Sequence, residues 1–305
     1  MQNHELSIVI PVFNSESSLE DLCTGIEKHV TGISFEIILV DDGSKDASWK
    51  KIEELKQKFG SKLVGVRLSK NFGQHNAIVC GFSFARGSCV LTMDDDLQHP
   101  PSEIPKLIEK FKSSDADVVY GIYEVKQHST LRNAGGSFAR KSSKVVVGNF
   151  GTGSSFRLMK RSIADHVAYH KNHAHIFIDE ILHWYTSRFE QVQVEHHERK
   201  IGTSGYTFRR LCGIYFDTII NYTAVPLRIM IWLGLFSSLF TFALGIRFVY
   251  RKFMYDVEPG FTAQIVSILF TASLLMFCMG IIGQYLYKIY NLQSRRPSYS
   301  IDRKI

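Results

Sequence analysis

Three consecutive carboxylates, Asp94, Asp95 and Asp96, stand in the segment MDDDLQHPP (93–101), directly after the apolar run CVLTM (89–93). Side by side they repel one another, and a cation or basic group must neutralise them for the turn to be stable. A hard divalent ion, Mg2+ or Mn2+, takes oxygen ligands and binds through one or two carboxylates plus substrate phosphates. In extended backbone Asp94 and Asp96 face the same way, and Gln98 continues the alternation with an amide oxygen. Asp94, Asp96 and Gln98 are therefore the candidate metal ligands. An acidic strand end also occurs as a plain solvated turn, and a bare run of three aspartates does not choose between the two. A second acidic segment, VDDGSKD (40–46), follows another buried run, FEIILVD (35–41). There Asp41 and Asp42 can accept hydrogen bonds from a nucleobase imide and a ribose hydroxyl, and Gly43 permits a tight turn. Capping of a helix by Ser44 or Asp46 is the alternative use of this segment.

The histidines His166, His170, His173 and His175, then His196-His197, have no accompanying cysteine and lie in polar surroundings, so a zinc site is not expected. His99, beside the acidic turn, is a candidate for substrate contact. The five cysteines are scattered without a CxxC pair, which points to a reducing compartment. A net charge of +7, with pI ≈ 9.1, fits an acidic partner: anionic lipid, a diphosphate or nucleic acid.

The elements that must position these residues alternate strand and helix. LSIVIPV (6–12) reads as a first core strand, not a secretory signal, because no basic region precedes it and Pro11 interrupts it early. Leu19, Leu22, Ile26 and Val30 mark a helix, FEIILVD a strand, and Trp49, Ile52, Leu55 and Phe59 another helix. LVGVRLS (63–69), a helix from about 73 to 86, and CVLTM continue the series. Such units imply an α/β fold with a mostly parallel sheet and helices on both faces. Ligands then gather at the carboxyl ends of the strands, where both acidic segments fall.

Two apolar segments close the chain, at about 226–250 and 262–288, each long enough to span a bilayer. Two buried core helices are the alternative. Arg251 to Gly260 reads as a polar turn, so the pair forms a transmembrane hairpin. Arg209, Arg210 and Arg228 before it, and Arg295, Arg296, Arg303 and Lys304 after it, place the catalytic domain and tail on the cytoplasmic side of the inner membrane; Arg251 and Lys252 oppose this. Residues 206–223 read as an interfacial amphipathic segment. The expected organisation is a catalytic domain over 1–205, this segment, the hairpin over 224–290 and a basic cytoplasmic tail over 291–305.

The segments SIVIPVFN (7–14), VDDGSKD, LSKNFGQHNA (68–77), MDDDLQHPP, DVVYG (117–121), SFRLM (155–159) and GTSGYTFRRL (202–211), followed by two spans, resemble the family 2 glycosyltransferases. Within them the chain looks like the polyisoprenyl-phosphate branch, relatives of dolichyl-phosphate mannose synthase and of bacterial undecaprenyl-phosphate glycosyltransferases. The resemblance covers essentially the whole chain, and DDDLQxPP with KNFGxxxA is its specific part. It implies a GT-A (Rossmann-like) fold and an inverting transfer from a nucleotide-sugar, with UDP favoured over GDP. It further implies Mg2+ or Mn2+, a polyisoprenyl (undecaprenyl) phosphate acceptor and a homo-oligomer. By position it assigns Pro11, Asp41, Asp42, Asp94 and Asp95 to the nucleotide, and Asp94, Asp96 and Gln98 to metal and diphosphate. Asp96 and Arg132 are the implied catalytic pair. Arg132, Arg140, Lys141, Arg199 and Lys200 are candidates for the acceptor phosphate; an ordinary exposed cation is the alternative for each.

A lipid phosphate is already anionic, so it attacks the anomeric carbon without a strong base, and no base is nominated. The protein holds two anions together and stabilises the departing diphosphate. Two departures from the family stand out. Many relatives carry an aspartate before FRLM, where this chain has Ser154-Ser155. Tyr123 replaces an arginine found in several relatives. Asp179 and Glu180 are expected on an exposed helix face. A processive polysaccharide synthase is the first competing reading, but no QxxRW motif is present; a sugar nucleotidyltransferase lacks its Gly-rich phosphate loop here. A non-catalytic membrane protein that binds nucleotide-sugar is the other. Nucleic acid is not an expected partner, since the basic-aromatic stretch at 206–222 carries no RNA-binding signature and precedes the spans.

Overall fold

The computed structural model describes residues 4–123, 154–169, 178–195, 225–255, 260–293 and 297–305. The chain divides into two compact units, one built on a sheet and one holding the two long helices. In the first, β1 (Leu6–Val12), β2 (Phe35–Asp41), β3 (Leu63–Leu68) and β4 (Cys89–Thr92) carry the parallel core, joined by β5 (Val118–Ile122), β6 (Arg157–Lys160), β7 (Phe189–Gln193) and β8 (Ile301–Lys304). The order is β7-β5-β6-β4-β1-β2-β3-β8. β1 pairs in parallel with β2 and β4, and β2 with β3, while β6 and β8 run antiparallel to their neighbours.

Successive strand residues point to opposite faces, and both faces of this sheet are apolar. Ile8, Ile10, Ile37 and Leu39 pack with helices α1 (Leu19–His29), α2 (Ser48–Phe59) and α4 (Ile104–Ser113). Val9, Ile38 and Val40 face α3 (Gln74–Phe82), α5 (Arg161–Tyr169) and α6 (Ile178–Tyr185). The predicted strands at 6–12 and 35–41 coincide with β1 and β2. Helix α3 stops at Phe82, short of the predicted 86.

Strand β8 was not legible in the sequence. The segment expected as a basic tail returns to the sheet and closes the β3 edge. Gly65 and Ile305 exchange backbone hydrogen bonds of 3.2 and 2.9 Å, and the Ser69 N–H donates to the Ser300 carbonyl at 2.9 Å. The side chains of β8 are exposed, because backbone bonds hold it, so no apolar alternation announces it. Tyr299 packs on the core and its hydroxyl lies 3.1 Å from Ser83 Oγ.

In the second unit α7 spans Val225–Tyr255 and α8 spans Phe261–Gln293. Ile229–Arg247 and Phe270–Tyr287 are long and apolar enough to cross a membrane, with mean hydropathy 2.0 and 1.4. The apolar side chains described on them, such as Phe236, Phe242 and Met276, are exposed, unlike those of core helices. Residues 251–255, expected in a polar turn, continue α7, since Arg, Lys, Phe, Met and Tyr all tolerate a helix and no breaker occurs before Pro259.

Candidate active site

The carboxyl ends of β1, β2, β3 and β4 bring four loops to one sheet edge, and hydrogen bonds knit them together. After β1 the chain turns at Asn14, whose φ of 53° lies in the left-handed region that asparagine tolerates. The Phe13 N–H donates to Asp95 Oδ2 at 3.1 Å, the Asn14 N–H to Ser44 Oγ at 3.0 Å, and the Ser15 N–H to Ser48 Oγ at 2.9 Å. Asp46 Oδ1 accepts the N–H and the hydroxyl of Ser48, the first residue of α2. The N-cap position is Ala47 and no side chain caps the helix, so neither Ser44 nor Asp46 takes the capping role.

Pro11 is buried within β1 opposite Val40, past the end of the β4 ladder, so its missing N–H falls where β1 has a single partner. Asp41 and Asp42 are both buried. The Asp41 carboxylate accepts the Ser44 N–H at 2.9 Å and lies 3.3 Å from Arg67 Nε. Asp42 accepts the N–H groups of Phe72 and Gly73 at 2.7 and 2.8 Å. Its pKa is raised by burial, which these two donors oppose. Gly43, at φ 69°, must be glycine: a Cβ there would stand 2.6 Å from the carbonyl carbon of Lys70. Asp42 thus fastens the KNFG loop to the first acidic turn, while Asp41 is held within that turn by Ser44 and against β3 by Arg67.

At the second turn the expected extended alternation stops at Asp94. Residues 95–99 form bends, Leu97 takes φ 59°, and Asp96 Oδ1 accepts the Gln98 N–H at 3.1 Å. A short Asx-type bond of this kind favours a turn over continued strand. Asp94 accepts from Gln74 Nε2 at 2.6 Å and Ser155 Oγ at 2.7 Å. Burial raises the Asp95 carboxyl to about 6; its charged neighbours Asp94 and Asp96 add to this, and the Ser15 and Phe13 donors oppose it. His99, a candidate for substrate contact, is buried and stacks on Phe156 at 5.0 Å.

Beneath the turn lies a network that the sequence reading missed. Arg157 is fully buried; its Nη1 pairs with Asp179 and its Nε donates to Thr92 Oγ1 at 3.2 Å. The Tyr120 hydroxyl donates to the same Asp179 oxygen at 2.9 Å, and Thr92 donates to the Ser155 carbonyl at 2.6 Å. Burial opposes the charge on Arg157, yet the Asp179 carboxylate outweighs it and holds the guanidinium pKa above its usual value. Asp179 is therefore no part of an exposed helix face: it is a buried counter-ion. The one sequence signal was an arginine at the head of an otherwise apolar strand run. His75, half-buried nearby, is driven down to about 4 by burial, with Arg157 adding to the shift.

Arg132, Arg140, Lys141, Arg199 and Lys200 lie outside the described residues, as do His170, His173, His175, His196 and His197. Among the described residues no group of three or more His, Cys, Asp or Glu side chains is placed to hold a metal ion. His166 stacks on Tyr185 at 4.4 Å. Asp94 and Asp96, both half-buried, supply two carboxylates at the strand end. Such a partial oxygen set fits a hard divalent ion whose remaining ligands are substrate phosphates and water.

Residues 7–182 match the family described as glycosyl transferase family 2. An undecaprenyl-phosphate 4-deoxy-4-formamido-L-arabinose transferase of Klebsiella pneumoniae (strain 342) is 34% identical, the match covering 99% of this chain and 94% of that protein. The enzyme of that description from Enterobacter sp. (strain 638) is 33% identical over the same shares. Among solved structures, glucosyl-3-phosphoglycerate synthase from Mycobacterium tuberculosis, in complex with Mn2+, uridine-diphosphate and glucosyl-3-phosphoglycerate, superposes with a TM-score of 0.51 over 71% of this chain and 78% of that one. At 16% identity that likeness speaks for the GT-A fold alone. The chain belongs to glycosyl transferase family 2.

Proposed function

We propose that this glycosyltransferase moves a sugar from a nucleotide-sugar, a UDP-sugar by preference, onto undecaprenyl phosphate at the cytoplasmic face of the inner membrane. The observation that carries the reading is the length of the likeness: relatives named for transfer to undecaprenyl phosphate align over 99% of the chain, sheet and long helices included. The knitted loops at the sheet edge support it, since DDGS, KNFG and DDD converge where a nucleotide-sugar binds in an α/β sheet.

In this reading a phosphate oxygen of the acceptor forms the bond to the anomeric carbon as the bond to the donor's diphosphate breaks, with inversion. Asp41, Asp42 and Pro11 hold the nucleoside, Asp94 and Asp95 border the diphosphate, and Asp94, Asp96 and Gln98 hold the ion. Mg2+ or Mn2+, held there by Asp94, Asp96 and Gln98, would supply positive charge to the departing diphosphate. Arg132, with Arg140, Lys141, Arg199 and Lys200 as further candidates, meets the acceptor phosphate. No carboxylate base is required, because the nucleophile is already anionic. The return of the chain to the sheet through β8 supports an even number of crossings: the chain leaves the sheet unit before α7 and rejoins it after α8. With Arg209, Arg210, Arg295 and Arg296 flanking the helices, that side is cytoplasmic.

The test is a transfer assay with full-length protein, undecaprenyl phosphate and a panel of nucleotide-sugars, UDP-linked 4-deoxy-4-formamido-L-arabinose among them. A lipid-linked sugar from wild type, absent with Asp96→Asn or with EDTA, is the expected result. Nucleotide binding without product from any donor would instead favour the non-catalytic reading.

A further inference from the structure

We infer that Gln74 and Ser155 are positioning residues that grip both oxygens of Asp94 and present it to the divalent ion in a single orientation. The inference rests on the reading of Asp94 as a ligand of that ion. Gln74 Nε2 lies 2.6 Å from Asp94 Oδ1 and Ser155 Oγ lies 2.7 Å from Oδ2. Gln74 lies within the KNFGQHNA segment, and Ser155 stands where many relatives carry an aspartate.

Each arm is anchored by a different part of the fold. Gln74 is the first residue of α3, and the two residues before it, Phe72 and Gly73, are bound through their N–H groups to the buried Asp42. The first acidic turn is thereby linked to the second through Asp42, the loop and Gln74. On the other side, Thr92 holds the Ser155 carbonyl, and Thr92 itself accepts from buried Arg157. These bonds fix the backbone from which each arm reaches Asp94.

The chemistry of the donors suits the task. Each carboxylate oxygen has two lone pairs, so one can accept from the amide or hydroxyl while the other meets a cation. Both donors are neutral, so they fix the carboxylate without competing for its charge, as a lysine or arginine would. An aspartate at position 155 would instead set a second carboxylate against Asp94 and add to the repulsion within the acidic turn. Hydrogen bonds of this kind to metal ligands typically govern affinity by roughly 10- to 100-fold.

The experiment measures Mn2+ binding to the full-length protein in detergent with saturating UDP, by the loss of the free-ion electron paramagnetic resonance signal. Ser155→Ala and Gln74→Ala should each weaken Mn2+ by roughly 10-fold or more, with unchanged thermal melting, and Ser155→Thr should restore the affinity. Gln74 is exposed, so its removal does not endanger folding and decides the matter even if Ser155→Ala melts early. Wild-type affinity in Gln74→Ala would overturn the positioning role while leaving the metal reading intact. A wild-type protein that binds no Mn2+ with UDP would overturn the metal reading, and this inference with it.

Discussion

Replacing Asp179 by alanine tests whether the network under the acidic turn is held by charge. Arg157 is 1% exposed and Asp179 8% exposed, so water cannot substitute for the lost carboxylate. Removing one partner of a buried pair leaves an uncompensated charge, at a cost of about 3–5 kcal/mol. The Tyr120 hydroxyl loses its acceptor as well, about 1 kcal/mol more. For a unit of this size each kcal/mol lowers the melting temperature by about 2–4 °C, so Asp179→Ala should melt roughly 8 to 24 °C below wild type. The double variant Arg157→Met/Asp179→Leu removes both charges and should regain most of that loss, because apolar replacement of a whole buried pair is often neutral or better. The assay is thermal melting of the full-length protein, with amide exchange at β4 and β6 to localise the change. Wild-type melting of Asp179→Ala would refute the reasoning, and so would a double variant as unstable as the single one.

Three further outcomes follow from other parts of the structure. Burial works against the charge on Asp117, but hydrogen bonds from Arg188, Lys160 and Thr186 outweigh it and hold the carboxyl well below the usual range. Its stabilisation is complete above the unfolded value of about 3.9 and fades as pH falls below that. Asp117→Asn should therefore melt below wild type at pH 7, with the gap starting to shrink below about pH 4 and narrowing further as pH falls toward the depressed native value; a gap independent of pH would contradict the pairing. Deleting residues 297–305 should speed amide exchange at Gly65 and Ser69, whose N–H groups donate to Ile305 and Ser300, and expose an edge prone to self-association. Unchanged exchange there would dismiss β8. Gly65→Val places a Cβ 2.7 Å from Ile52 and 2.8 Å from Ile305, and this overpacking should cost about 1–3 kcal/mol in a denaturant melt.

Much of the sheet was legible because its central strands are short β-branched runs bounded by polar turns. LSIVIPV and FEIILVD declare themselves by burial on both faces, and the acidic turns that follow them declare the site. The two long helices were legible by length and composition. What escaped depends on contacts between distant residues. Strand β8 is held by backbone bonds and buries none of its four side chains, so its sequence carries no pattern. Asp179 sits beside Ile178 and Ile181 in a short amphipathic helix and reads as surface until Arg157 is seen under it. Gln74 and Ser155 look like ordinary polar loop residues; only the fold brings them from opposite directions onto Asp94. The bends at 95–99 likewise could not be read from alternation, because the Asp96 side chain captures a local N–H.

The central claim is that the nucleophile is a lipid phosphate, used without a protein base, and one comparison of acceptors tests it most directly. Full-length protein with its preferred nucleotide-sugar and Mn2+ is given either undecaprenyl phosphate or undecaprenol, at equal concentration in the same detergent, and lipid-linked sugar is measured by mass. The account predicts product from the phosphate alone, since an alcohol needs a base to lose its proton and Ser155 cannot serve as one. Comparable product from the alcohol would contradict it.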